Sequence, residues 1–297
     1  MPRHDHRQVA DVQPTVIFLH IGKTAGSTMR QVLRRQFPSS EIMVVRSPIR
    51  DPRRLRREDT LAYFANLPEQ ERMRPRLILG HTIFGLHEFV PRPSTYITLL
   101  RDPLSLVVSQ YGYVRRTPGH WLHQTALQMS LEEYVQSGVS LEMDNSQTRA
   151  ISGDVSTEFG HCSREMLDAA ARHIAESFTF VGLTERFDET LVLLGEAFGW
   201  SRLAYVRVNV APIRERQVLP SETTAMIRGQ NVLDQELYDR TADAFQRSME
   251  VYPSFDHDLR RLRRRNSVYR PWGRLTRTMP KQMLSKIAGG RQVNPEA

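Results

Sequence analysis

At 297 residues, with 40% hydrophobic and 25% charged residues, the chain has the make-up of an ordinary globular protein and enough length to bury a substantial core. No stretch approaches the roughly 18 unbroken apolar residues of a membrane span. The opening segment MPRHDHRQVADVQP has no apolar signal region, and the single Cys162 cannot form an internal disulfide, so the cytoplasm is the expected compartment.

The net charge of +8 is unevenly placed: residues 260–297 carry +10 and the remainder −2. The excess belongs to the tail, so the total does not support a nucleic-acid-binding face on the folded domain, and no nucleic acid is expected as partner.

Residues 1–14 read as a disordered lead-in. Val16 to Leu19 is a short β-branched and apolar run, the pattern of a buried strand, and it leads through HIGKTAGST into a helical stretch from Ser27 to Gln36. Further strands are expected at Ile42 to Val45, Leu77 to Leu79, Thr95 to Leu100, Phe178 to Val181 and Tyr205 to Val208. Helices are expected between them at Glu58 to Asn66, Leu104 to Arg115, Leu131 to Gln136, Arg164 to Glu176 and Glu189 to Phe198, with a later one near Asp234 to Val251. Short apolar strands alternating with amphipathic helices imply an α/β fold, P-loop-like, with a central mainly parallel sheet between helical layers. A single domain over 15–258 and a basic C-terminal tail over 259–297 follow. That tail, rich in Arg and holding Tyr269 and Trp272, is a solvated extension or a docking element for an anionic membrane or polymer.

Between the first strand and first helix, Gly22 and Gly26 sit among small hydroxylated residues. Such a loop lets backbone N–H groups approach an anion, and the helix start adds unpaired donors and partial positive charge. Lys23 contributes a full charge, and Thr24, Ser27 and Thr28 contribute hydroxyls. Of 41 basic residues only three are lysines, and Lys23 is the sole lysine before position 281; a compact ammonium suits a narrow space better than a guanidinium fork. The loop is not a Walker A motif, because the Gly required five positions before Gly22 is Ile17.

The architecture recurs in STYITLLRDPLSLVVSQYGYVRR. A strand reaches Arg101, Asp102 is a plausible helix N-cap, Pro103 suits a first helical turn, and Ser109 lies two turns along. Arg101 and Ser109 together suggest a second phosphate site.

These two segments resemble the PAPS-dependent sulfotransferases (PAPS being 3′-phosphoadenosine-5′-phosphosulfate), in the branch that includes the heparan sulfate 2-O- and 6-O-sulfotransferases and bacterial relatives. The family loop H-I-P-K-T-[GA]-G-[ST] is matched by His20 to Ser27 with Gly22 in place of Pro. The family's R-[DE]-P with a downstream Ser is matched by Arg101, Asp102, Pro103 and Ser109; its frequent Arg four residues after the Pro is Val107 here. The segments DNSQTRAISG, VGLTERFD and RVNVAPIRER resemble three more elements in the family's order.

The resemblance implies transfer of a sulfuryl group from PAPS to a hydroxyl, with a carbohydrate or glycan as acceptor and without a metal. Gly22, Lys23, Thr24, Ala25, Gly26, Ser27 and Thr28 would hold the 5′-phosphosulfate. Arg101 and Ser109, with Arg214 and Arg216 as closers, would hold the 3′-phosphate. His81, in a G-H element after a strand end, resembles the family's general base, and Lys23 would offset charge on the leaving group. His20 would orient the loop and Glu185 would order the site. His87 falls in a loop near the acceptor side, and His120 and His123 are unplaced. The alternatives from other classes are a P-loop-type nucleotide phosphotransferase and a non-enzymatic binder of anionic polymers through the tail.

Overall fold

The computed structural model describes residues 13–45, 57–206 and 219–278. The expected contributions of Arg214 and Arg216 therefore lie outside the described residues.

Five strands form one all-parallel sheet: β1 (Thr15–Leu19), β2 (Ile42–Val45), β3 (Leu77–Gly80), β4 (Ser94–Leu100) and β5 (Phe178–Leu183), in the order β2-β3-β1-β4-β5. Every residue of the central β1 is buried, as a strand covered on both faces requires. Its alternation divides the core. Ile17 and Leu19 join Ile78, Tyr96 and Leu100 in one apolar cluster, whereas Val16 and Phe18 join Leu77, Leu79, Ile97 and Leu99 in another; period-2 geometry sends successive side chains to opposite faces.

Helices cover each cluster. On the first face lie α2 (Arg57–Ala65), α7 (Ser146–Ser152), α8 (Arg164–Ser177) and α11 (Val232–Glu250), contributing among others Phe64, Ile151, Leu167 and Leu237. On the second lie α1 (Gly26–Leu33), α9 (Phe187–Phe198) and α12 (Phe255–Thr278), through Val32, Leu191 and Leu262. The expected three-layer α/β architecture is thus the one observed. A third cluster, built on Val107, Val114, Tyr134 and Ile227, packs α4 (Pro103–Arg116) against α5 (His123–Gln128), α6 (Leu131–Gln136) and α10 (Ser221–Gln230). The short α3 (Glu69–Met73) precedes β3.

Two expectations need correction. The sixth strand does not form over its described part: Tyr205 and Val206 are irregular, because the Tyr205 N–H is taken at 2.9 Å by the Asn266 side chain of α12 and its hydroxyl by Asp188. The expected boundary at residue 258 also falls inside α12. Leu259, Leu262 and Asn266 are buried there, so the first part of the basic segment is an amphipathic helix of the domain, with Arg263 paired to Asp188 and Glu189.

Candidate active site

All five strands end at one edge of the sheet, and the residues that leave that edge are the expected site residues. Leu19 pairs with Gly80, so His20 and His81 emerge side by side. On the other side of β1, β4 ends at Leu100 and delivers Arg101. The chain leaves β1 towards β2 and leaves β4 towards β5, so their ends bound the crevice where open α/β sheets bind ligands.

The loop after β1 is held open by its own backbone. Lys23 and Ala25 both have φ of 61°, a left-handed conformation unusual outside glycine, and such residues turn successive N–H groups into an anion-binding concavity. Ala25 is the N-cap of α1 and offers no side-chain cap, which leaves the first helical donors to other acceptors. Thr24 is fully buried, and its hydroxyl donates to the Ile21 carbonyl at 2.9 Å; Thr24 therefore closes the turn. Ser27 and Thr28 begin α1, Ser27 half-buried and Thr28 buried. Gly26 is required by contact: a β-carbon there would overlap the His20 imidazole.

His20 is buried and stacks on Phe18 on one side and His81 on the other, with ring centroids 5.4 and 4.3 Å away. Burial, then the neighbouring His81, Arg30 and Lys23, lower its pKa to about 3. His20 is thus a neutral spacer between loop and His81. His81 itself keeps an opening to solvent. The crevice walls and the Arg30 charge hold it below the ordinary imidazole value, and a bond to the His20 backbone acts the other way. An accessible imidazole that stays neutral near pH 7 can accept a proton.

Arg101 crosses the crevice. Its Nη1 donates to the Lys23 carbonyl at 2.9 Å, while Nε, 3.9 Å from the Glu185 carboxylate, is buried without a hydrogen-bond partner among the described residues. Its backbone is clamped by Gln147: the Arg101 N–H donates to Gln147 Oε1 at 2.8 Å, and Gln147 Nε2 donates to the Arg101 carbonyl at 2.9 Å. Asp102 caps α4 by accepting from the Ser105 N–H at 2.8 Å, and Glu185 accepts from the Asp102 N–H and the Tyr238 hydroxyl, each at 3.1 Å. Glu185 orders the β4–α4 corner. Ser109 is half-buried on α4, one heptad from the cap.

Behind this corner stands α7. Gln147, Thr148 and Arg149 are buried. The Gln147 N–H, Thr148 N–H and Thr148 hydroxyl all donate to the buried Asp234 of α11. Arg149 pairs with Asp144 at 2.6 Å, side chains 3% and 2% exposed. Asn145, in a left-handed conformation at φ 49°, accepts from the N–H groups of Leu233 and Asp234 at the start of α11. The N-x-Q-T-R segment is therefore a brace that fixes Arg101.

The site also holds residues that the sequence reading did not single out. The Lys23 ammonium sits 4.1 Å from the centre of the Tyr113 ring. Burial and the charges of Arg116 and Arg101 lower the Lys23 pKa, and Glu142 opposes this. Glu142, between α6 and α7, accepts a bond from Gln110 of α4. Helical spacing could have flagged Tyr113, four residues after Ser109, but nothing local marks Glu142. The other histidines singled out from the sequence bond neighbouring groups: His87 Nδ1 bonds the Tyr96 hydroxyl at 3.1 Å, His120 Nδ1 accepts from the Leu122 N–H at 3.2 Å, and His123 Nδ1 bonds the Val114 carbonyl at 3.0 Å.

The fold is a three-layer α/β protein with an all-parallel sheet, consistent with the sulfotransferase fold, and comparison with known proteins resolves the family. The galactose-3-O-sulfotransferase family model matches residues 4–271, and the chain belongs to that family. It is 27% identical over 250 residues to galactose-3-O-sulfotransferase 3 of Bos taurus, covering 78% of this chain and 57% of the relative. The corresponding protein of Mus musculus is 27% identical over 263 residues, covering 83% and 58%. Heparan sulfate 2-O-sulfotransferase 1 of Xenopus laevis is 25% identical over 207 residues, covering 64% and 58%. The chain spans less than three-fifths of the length of these relatives. The resemblance to PAPS-dependent sulfotransferases holds, with the galactose-3-O branch as the family assigned.

Proposed function

We propose that this protein is a PAPS-dependent sulfotransferase that sulfates a hydroxyl of a neutral carbohydrate, with a galactose residue as the acceptor. The observation that carries the reading is the bond from Arg101 to the Lys23 carbonyl. It brings the loop after β1 and the start of α4, the two candidate anion-binding corners, together across the β1–β4 crevice. The names of the relatives, galactose-3-O-sulfotransferase and heparan sulfate 2-O-sulfotransferase, support a sugar acceptor.

The donor set fits PAPS. Left-handed Lys23 and Ala25 and the uncapped start of α1 suit the 5′-phosphosulfate, together with Gly22, Gly26, Ser27 and Thr28. The buried, unbonded Nε of Arg101 suits the 3′-phosphate, with Ser109 and, outside the described residues, Arg214 and Arg216. When bound, PAPS supplies a sulfuryl group on a phosphate leaving group. His81 takes the proton from the acceptor hydroxyl as its oxygen bonds to sulfur. Lys23 offsets the charge that collects on the phosphate oxygen as the sulfur–oxygen bond breaks. Charge stabilisation and positioning are the main demands of such an in-line transfer, and a base of this kind contributes about 10²–10⁴-fold.

Calorimetric titration without Mg²⁺ tests the reading. 3′-Phosphoadenosine-5′-phosphate should bind at least about tenfold more tightly than ADP, a difference of about 1.4 kcal/mol. Equal affinities would remove the 3′-phosphate pocket and the reading with it.

A further inference from the structure

Helix α4 turns one face to the crevice. Ser109, Gly112, Tyr113 and Arg116 fall at i, i+3, i+4 and i+7 along it, the spacing that stacks side chains on one side of a helix. Two of the four already belong to the site: Ser109 through the Arg101 corner, and Tyr113 through its ring, whose centre lies 4.1 Å from the Lys23 ammonium. Arg116, in the last turn of the same stripe, has no part in the reaction as described.

The neighbouring Arg115 is engaged elsewhere: its Nη1 donates to the Tyr111 hydroxyl at 3.1 Å and its guanidinium lies over that ring. Arg116 is placed differently. Its Nη1 lies 2.9 Å from the point where a β-carbon on Gly112 would stand. The guanidinium therefore folds back over the bare Gly112 backbone towards the start of α4, the direction long helical side chains take. That carries it towards the Lys23–Tyr113 contact, and its charge lowers the Lys23 pKa ahead of that of Arg101. Among the described residues the Arg116 guanidinium has no ion pair or hydrogen bond.

Three cations, Lys23, Arg101 and Arg116, thus converge on one crevice. Glu142 opposes them at Lys23, but its Oε2 is taken by Gln110. Like charges held at short range are unfavourable, and an anion among them reverses the sign. Two of the three anionic groups of PAPS already have places, the 5′-phosphate at the left-handed turn and open start of α1, and the 3′-phosphate at Arg101. The sulfonate remains, and it hangs from the phosphate beside Lys23. The planar fork of a guanidinium suits the oxygens of such a group.

We propose that Arg116 is a binding residue for the sulfonate of the donor, its guanidinium folded over Gly112 to reach the sulfonate oxygens beside Lys23. The inference rests on the sulfotransferase reading above and adds to it a residue that tells the loaded donor from the spent nucleotide.

Titration calorimetry on the full chain tests it, with PAPS and 3′-phosphoadenosine-5′-phosphate and no acceptor. Arg116→Ala should weaken PAPS binding by at least about tenfold and binding of the nucleotide without sulfonate by no more than about twofold. Gly112→Ala puts a methyl group where the guanidinium lies; alanine favours a helix, so this variant should fold as well as wild type and still lose part of its hold on PAPS. Arg115→Ala should leave both affinities within about twofold. An affinity ratio for the two nucleotides that changes less than about threefold in Arg116→Ala overturns the inference, whether both affinities hold or both fall together, while the sulfotransferase reading stands. A wild-type chain that binds neither nucleotide overturns the reading itself, and the inference falls with it.

Discussion

The Arg101 guanidinium reaches across the mouth of the sheet and donates to the backbone carbonyl of Lys23 at 2.9 Å. Two residues 78 positions apart in the chain thereby share one site, and each depends on the other's placement. Arg101→Ala should weaken binding of 3′-phosphoadenosine-5′-phosphate by about 10–100-fold, the loss of charge-assisted contacts of roughly 1.5–3 kcal/mol, while ADP binding falls less. Arg101→Lys should recover only part of the loss, because an ammonium cannot span two partners as a fork does. Titration calorimetry on the three proteins measures this directly.

The clamp on Arg101 makes a separate expectation. Gln147 uses both ends of its amide on the Arg101 backbone. Gln147→Leu leaves the half-buried Arg101 N–H and carbonyl without their partner, costing up to about 1–3 kcal/mol for each group left unpaired. Combined with Arg101→Ala, its effect on nucleotide affinity should be less than additive, since both changes disable one corner. Additive losses in a double-mutant cycle would show that Gln147 acts elsewhere.

His81 is expected to be catalytic without being a nucleotide ligand. His81→Ala should lower kcat by at least about 100-fold and spare nucleotide affinity. Because the folded-state pKa of His81 lies below the usual imidazole value, the base form is already populated at neutrality. The rate should be level near pH 7 and fall as acid protonates the ring below its ordinary pKa near 6.5. A pH–rate profile with its limb above that value would point to another base.

His20 links pH to stability rather than to turnover. Its pKa falls from 6.5 to about 3 on folding, so between those values the unfolded chain binds a proton that the native one does not. The stability associated with neutral His20 is present above pH 6.5 and is lost as pH falls towards 3, with a slope of about 1.4 kcal/mol per pH unit for one proton. Denaturant unfolding of wild type and His20→Asn across this window should show a shallower slope in the variant.

The brace itself should be fragile to single changes. Arg149 and Asp144 form a pair whose side chains are 3% and 2% exposed, and Arg149 also donates to the carbonyls of Thr157 and Glu158. Arg149→Ala leaves a buried carboxylate without its partner, at a cost of about 3–5 kcal/mol, a large part of the stability of a typical domain. Thermal unfolding should register it even in the absence of nucleotide.

Much of this molecule is local and was readable in the residues in order. The apolar run before HIGKTAGST makes β1, because a doubly covered strand has no need of polar residues. Asp102 and Pro103 start α4 because one caps and the other is already bent for a first turn. Ser130 and Glu133 form a capping box that starts α6 at the expected position. The turn after β1 and the Arg101–Asp102–Pro103 corner were legible as strand–turn–helix junctions for the same reason, since their signals lie within a few consecutive positions.

What the sequence alone could not determine is what meets across long separations. The strand order β2-β3-β1-β4-β5 places His81 beside His20 and Arg101 opposite Lys23, and only non-local pairing decides that. Tyr205 reads as a strand residue by composition, yet its N–H is taken by Asn266 of α12, a helix whose arginines suggest a solvated tail until Leu259 and Leu262 are seen in the core. Glu142 is one acid among many until folding sets it against Gln110, Gly22 and Lys23. Propensity and capping act over a few residues, whereas the site is made by packing, which brings distant side chains within hydrogen-bonding reach.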